Sequence, residues 1–302
     1  GISLFNEKKG SFSTIKIKHL PKLYPDMNIF VYKIIQLKNG DLLAATFLGL
    51  VKISKQKNGT FEGYYFSNIP YISSTTNDIV ETSEGAIYGT SSGLGLYKIN
   101  PFKNGYRVDG VFLNGIDLRS VRIDEKDAAW LWIGTGKGLV HFNVSTKKYS
   151  VLNEKNGLKN SYVYGVLEDE NNNLWISTNG GLSYFDKSIN QFYNYTYQDG
   201  LQSNEFNTQA FYKSNTNTFY FGGIKGFNWF KSKINSTNFH KPQVAITQME
   251  VNNKLLSRDE ILLLHTSHPL PYDSNSFTFN FAALDYTRPE ANNIQYKLKG
   301  LD

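Results

Sequence analysis

Not one of the 302 residues of this chain is cysteine. That absence removes disulfide staples, thiolate metal sites and a thiol nucleophile together. Proline is scarce, at 8 residues against 25 glycines, a balance that suits short strands joined by tight turns. No run of 18 apolar residues occurs, so no segment reads as a membrane-spanning helix. A signal-peptide pattern is lacking as well. The charge imbalance is small: the formal net charge is +6, with lysines spread along the chain. That spread reads as a solvated surface rather than a nucleic-acid groove, and it is compatible with an acidic small ligand.

Aromatic residues fill the space these absences leave. They make up 15% of the chain, with 20 Tyr and 21 Phe, and suit half-buried pleated surfaces. A phrase recurs among them: a short strand ending in Gly-Thr, a turn, then Gly-Leu-x-x-Phe. It is clearest at 131–143 (LWIGTGKGLVHFN) and 174–186 (LWISTNGGLSYFD), with looser copies at 42–54, 87–100 and 219–231. The turn glycines Gly49, Gly93, Gly138, Gly181 and Gly226 lie 44, 45, 43 and 45 residues apart. A period of this length with strands inside each unit marks a β-propeller. Gly1-Ile2-Ser3-Leu4-Phe5-Asn6 matches Gly181-Leu182-Ser183-Tyr184-Phe185-Asp186, so the chain opens on half a copy and reads as a piece of a longer array.

The fourth repeat shows how one blade is built. Tyr162–Asp169 reads as the inner strand, 170–173 (ENNN) as a turn, Leu174–Thr178 as the second strand and Leu182–Asp186 as the third. Asparagine suits such turns because it tolerates positive φ and bonds its own backbone. Gln191–Tyr197 alternates aromatic with polar residues and reads as the outer strand. Four strands consume the period and leave no room for a helix. Trp132, Trp175 and Tyr220 share one second-strand position and are expected to pack between blades. Trp229 is likewise expected to be packed. Trp130, beside a two-residue insertion, is a candidate for exposure and binding.

These repeats resemble the two-component regulator propeller family. After Gly226, the phrases at 270–279 (LPYDSNSFTF), 281–287 (FAALDYT) and 296–300 (YKLKG) resemble the Y_Y_Y domain, a β-sandwich, with Tyr272, Tyr286 and Tyr296 as candidate namesakes. The resemblance implies an all-β chain: about five four-stranded blades plus a partial one from a seven-bladed ring over 1–241, then the start of an immunoglobulin-like sandwich over 242–302. About 60 residues fall short of the ~100 such a sandwich needs. It further implies the periplasmic, ligand-sensing region of a hybrid two-component histidine kinase of Bacteroidetes type. That region would bind glycan-derived oligosaccharides, work as a homodimer beside an upstream propeller of the same chain, and need no cofactor. A polysaccharide-lyase-like propeller enzyme and a protein-interaction propeller are the alternatives.

Residue chemistry gives no catalytic centre. The acids at 124–127 and 168–170 are neighbours in turns, unlike the facing pair a glycosidase needs. His265 and His268 lack a third metal ligand, so no metal site is expected. The ring topology points instead to the segments that lead into each inner strand, which converge on the central channel. They are rich in amide, hydroxyl, aromatic and Arg groups, the set that bonds to and stacks on sugars. The candidate ligand-binding residues are therefore Asn77, Arg119, Asn160, Tyr162, Asn204, Glu205 and Asn207, with Trp130 as an outlying surface candidate.

Overall fold

A computed structural model describes residues 1–20, 29–66, 74–102, 105–231, 243–265, 270–284 and 296–297. The chain divides into two compact units, Gly1–Lys233 and Ile234–Asp302. The expected domain boundary at 241/242 lies outside the described residues.

The first unit is a succession of antiparallel sheets, each built in sequence order from the inside outward. Blade one comprises Val31–Gln36, Leu42–Thr46, Gly49–Lys55 and Phe61–Tyr65, with Lys16–Lys18 added in parallel along its outer edge. Blade two is Thr76–Glu81, Ile87–Ser91, Gly95–Phe102 and Gly105–Phe112. Blade three is Leu118–Ile123, Trp130–Thr135, Gly138–Asn143 and Tyr149–Leu152. Blade four is Val163–Glu168, Leu174–Thr178, Gly181–Asp186 and Gln191–Tyr195. Blade five has three strands among the described residues, Phe206–Lys213, Thr218–Gly223 and Gly226–Lys231. Ahead of them Ser3–Asn6 pairs with Ser11–Thr14 as a separate hairpin.

The repeated phrase has a physical basis in one turn. At the end of the second strand, the hydroxyls of Thr46, Thr135 and Thr178 donate to the carbonyls of Gly49, Gly138 and Gly181 at 2.7–2.8 Å. Each hydroxyl also accepts the N–H two residues on, from Leu48, Lys137 or Gly180. The glycines sit at φ of 121°, 129° and 131°, a left-handed region that favours glycine. A Cβ at Gly138 or Gly181 would also collide with the carbonyl of Leu152 or Tyr195 in the outer strand. Blade five has Gly223 where the threonine stands, and Gln202 supplies the missing acceptor, its Oε1 taking the Lys225 N–H at 2.8 Å. Blade two carries a longer turn. There Gly95, and not Gly93, pairs opposite Ser91 and lies against the outer strand's carbonyls. The repeat spacing read from Gly93 is corrected accordingly.

The opposite turn, between first and second strands, is capped by a short polar side chain. Thr82 accepts the Ala86 N–H, Asp124 those of Lys126 and Asp127, Asp169 those of Asn171 and Asn173, and Ser214 those of Thr216 and Thr218. Such residues bond their own backbone a few positions on, which closes the turn without distant partners.

Blades meet through apolar faces. Leu43, Leu50, Ile79, Ile87 and Tyr97 fill the first junction, Val80, Leu96, Val121, Ile133 and Phe142 the second, and Trp132, Leu139, Val166, Ile176 and Phe185 the third. Trp175 is buried as expected and meets Phe230 of blade five at 4.5 Å between ring centroids. Ile2 and Ile15 cover Ala44, Val51 and Ile53 on the remaining face of blade one. Trp229 departs from expectation, since it is 64% exposed. It pairs with Tyr220 on the face that in blades three and four carries Trp132 with His141 and Trp175 with Tyr184. Those two pairs are covered by the following blade, and no described element covers Trp229.

In the second unit Val244–Val251 pairs with Phe277–Ala283 and with Lys254–Leu255. The helix Arg258–His265 precedes the second of these long strands. Sequence reading missed it, although Ser257 and Glu260 form a capping box: the Glu260 N–H bonds Ser257 Oγ, and the Ser257 N–H bonds Glu260 Oε2 at 2.7 Å. Tyr286 lies outside the described residues, while Tyr272 and Tyr296 are exposed.

Close approach between inner strands makes Gly165 irreplaceable. A Cβ there would sit well inside the contact distance of the Phe211 ring of blade five. Gly165→Ala should therefore destabilise the first unit by about 2 kcal/mol, the usual scale of overpacking. Pairing it with Phe211→Leu should restore part of the loss. Urea unfolding midpoints test this; an unchanged midpoint for Gly165→Ala would contradict the packing described.

Candidate functional site

Every inner strand of blades one to four is bulged near its start. The register slips at Val31/Lys33, Thr76/Asp78, Leu118/Ser120 and Val163/Gly165, which leaves Tyr32, Asn77, Arg119 and Tyr164 as the extra residues. A bulge re-aims its side chain. Here the bulges fall where the chain reaches the channel mouth.

Arg119 anchors the mouth. Its guanidinium pairs with Asp117 at 2.6 Å, lies 4.3 Å from the centroid of the Tyr162 ring and reaches Thr208 Oγ1 of blade five at 3.5 Å. Gln209 donates to the Arg119 carbonyl at 3.0 Å, and Tyr164 packs edge-on to Tyr162 at 5.1 Å. Two buried atoms of this cluster, Arg119 Nε and Asp117 Oδ1, have no hydrogen-bond partner. Buried polar atoms are normally satisfied, so this pair is a natural point for water or ligand to bond.

The other residues expected at the mouth are placed unequally. Asn77 is buried, and its amide is committed to Ser92 Oγ and the Leu118 carbonyl, both at 2.7 Å, so it ties blade two to blade three. Asn160 accepts the Tyr162 N–H and Asn204 that of Tyr197, so both shape their own turns. Glu205 and Asn207 are exposed and flank Phe206 at the start of the blade-five inner strand. Trp130 is not part of this group. It begins the strand whose other end, Thr135, pairs with Leu118 at the mouth. Its ring stacks on His141 at 4.3 Å, and His141 stacks on Trp132 at 3.8 Å, which leaves Trp130 half-buried.

Below the mouth the inner strands line an open-sided cavity of about 540 Å³. Lys33, Arg122, Glu168, Gln209, Phe211 and Lys213 are among its lining residues, so blades one, three, four and five all contribute. Sequence reading passed over these charges, though a charge inside an apolar run, as in Val121-Arg122-Ile123, was a signal. Lys33 pairs at 2.5 Å with Asp78, which is fully buried and also accepts the N–H groups of Ile79 and Val121. Burial pushes the Lys33 ammonium down, against the pull of Asp78.

Beside the cavity lies the junction of blades three and four. Asp124 Oδ2 accepts from the Trp132 indole at 2.8 Å, and Lys187 Nζ lies 3.6 Å from Asp124 and 2.7 Å from Glu168. His141 Nε2 lies 3.4 Å from Asp124 without the alignment of a hydrogen bond. Burial raises Asp124, but His141, the turn N–H groups, Lys187 and the indole outweigh it and hold the carboxyl well below the usual range. For Glu168 burial dominates over Lys187 and pushes the carboxyl up. Among the described residues no cluster of three metal-ligating side chains occurs, and no helix is long and apolar enough to cross a membrane.

Successive four-stranded blades around a polar axis define a β-propeller. Residues 157–180, which run from the linker after blade three through both strands of blade four's inner pair, match the family described as two component regulator propeller. The chain is 27% identical over 239 residues to histidine kinase P4 of Formosa agariphila, covering 74% of this chain and 17% of that protein. It is also similar to the extracellular domain of the hybrid two component system BT3049 from B. thetaiotaomicron. That likeness has 25% identity and a TM-score of 0.69, over 95% of this chain and 39% of the other. The extracellular domain of the one component system BT4673 from the same organism shares the fold, at 17% identity and a TM-score of 0.51, over 89% of this chain and 43% of that one. The chain thus spans well under half the length of these relatives.

The depressed Asp124 carboxyl has a signed consequence. A group whose folded pKa lies below its unfolded value of 3.8 adds stability above that value, and the contribution is lost as pH falls below it. Asp124→Asn should be less stable than the parent at pH 7, with the gap narrowing as the solution is acidified below about pH 4. Thermal melts across that range decide it, and a gap independent of pH would count against the assignment.

Proposed function

We propose that this chain is part of the extracytoplasmic ligand-sensing region of a hybrid two-component sensor histidine kinase. The observation that carries the reading is the fold likeness to the extracellular domain of BT3049 along 95% of the chain. The 27% identity to a histidine kinase supports the same class. In this reading the ring binds glycan-derived oligosaccharides at the channel mouth. Arg119 and Tyr162 offer a cation and an aromatic face there, the pairing that hydrogen-bonds and stacks on sugar rings.

The second unit, from about residue 242, is read as the start of a Y_Y_Y sandwich that relays the signal toward the membrane. The working receptor is read as a homodimer. Ligand acts by population shift: it binds one arrangement of the receptor better than another, and the shift equals that difference in affinity.

A thermal-shift screen against a panel of oligosaccharides tests the sensor reading. A specific ligand at a hundred times its Kd should stabilise the folded protein by about 2.7 kcal/mol. Alanine at Arg119 or Tyr162 should then weaken binding about tenfold, roughly 1.4 kcal/mol, by calorimetry. Alanine at Asn160 or Asn204, whose side chains hold turns, should weaken it less. Unchanged affinity in all four would move the site away from the mouth.

A further inference from the structure

Among the charges around the central cavity, Arg122 differs from its neighbours. Lys33 is matched by Asp78 at 2.5 Å, Lys187 by Glu168 at 2.7 Å and Lys213 by Glu125 at 3.5 Å. Asp124 commits its oxygens to the Trp132 indole and to turn N–H groups. The Arg122 guanidinium has neither a carboxylate within ion-pair distance nor a hydrogen-bond acceptor among the described residues. The Phe211 ring lies against it, 5.1 Å from centroid to guanidinium carbon.

This unmatched charge is half-buried and lines the cavity of about 540 Å³. That volume lies within the range of small-molecule sites. The Arg122 nitrogens are not buried away from solvent, so an anion that enters the cavity meets a guanidinium open to pairing. A guanidinium presents its N–H donors as a planar fork that matches two oxygens of a carboxylate or sulfate. The cavity wall carries three cations, Lys33, Arg122 and Lys213, against two carboxylates, Glu125 and Glu168.

We propose that the central cavity is an anion site in which Arg122 receives a carboxylate or sulfate group, with Lys33 and Lys213 contributing attractive field. The bearer of that group fits best as an acidic sugar, whose ring can lie against the exposed Ile34 and Tyr212 in the lining. This site is separate from the Arg119 cluster at the mouth and does not depend on the sensor reading.

Calorimetry at low ionic strength with galacturonate, galactose 6-sulfate, inorganic sulfate and neutral galactose tests it. The acidic sugars should bind at least tenfold tighter than galactose and weaken as salt is added. Arg122→Gln should abolish that preference, and Arg122→Lys should retain part of it. Inorganic sulfate binding as tightly as the sulfated sugar would assign the site to the free anion; weaker sulfate binding would assign it to the sugar-borne group. Equal affinity for galacturonate and galactose, no binding of any anion, or an anion preference unchanged in Arg122→Gln would overturn the proposal. Should Arg122→Gln fail to fold, the parent's preference and its salt dependence still decide. A neutral oligosaccharide bound at the mouth would leave the sensor reading standing after such a failure.

Discussion

The first unit depends on a hydroxyl that reaches back across a three-residue turn. In blades one, three and four a threonine closes the hairpin between second and third strands, and a glycine at positive φ lets the chain pass under the outer strand. That local bond fixes register, and register decides which side chains face which neighbour, because a slip by one residue would turn every side chain to the other face. Blade junctions such as Trp132 against Leu139 and Ile176 follow from it. Where the threonine is missing, in blade five, a glutamine from the preceding linker takes over its accepting half, receiving the Lys225 N–H, while its own amide donates to the Glu205 carbonyl.

A ring whose blades are held in this way brings inner strands close together, and the axis must then accommodate polar groups in a confined space. Two solutions coexist. Gly165 on one inner strand gives way to the ring of Phe211 on the next, so part of the axis is packed by an aromatic side chain. Elsewhere charges are brought in and paired, with Asp78 taking an ammonium and two backbone N–H groups at once. The result is a rigid wall with a polar interior, the kind of surface on which a small polar ligand is recognised with little reorganisation.

Much of this was legible in the amino-acid sequence because its determinants are local. Alternation gives strands, the Gly-Thr and Gly-Leu pairs give one turn, and Asp or Asn gives the other. The failures have a common cause in pairing and convergence. Gly93 and Gly95 both take positive φ, and only the register opposite Ser91 shows which of them holds the turn. Trp229 occupies the strand position of the buried Tyr184, so its exposure depends on what lies over the blade and not on its own strand. Arg119 and Tyr162 were legible as neighbours because topology alone sends both segments to one end of the ring. Lys33 and Lys213 were not, since each reads as a solvated residue until separate strands are set around one axis; Arg122 was marked only by its place between Val121 and Ile123.

The links that blade five makes have a mechanical meaning. Asp78 ties its own second blade to its two neighbours, through Lys33 of the first and Val121 of the third. Gln209 and Thr208 of the fifth blade instead reach the carbonyl and guanidinium of Arg119 in the third, and these links skip a blade. A stack whose members touch only adjacent members behaves as springs in series, so each added member softens it. Links that bypass a member act as springs in parallel, and here they stiffen the inner strands of blades three to five relative to their outer strands. A push delivered at the axis there would move those blades nearly as one instead of dissipating in the first blade it meets.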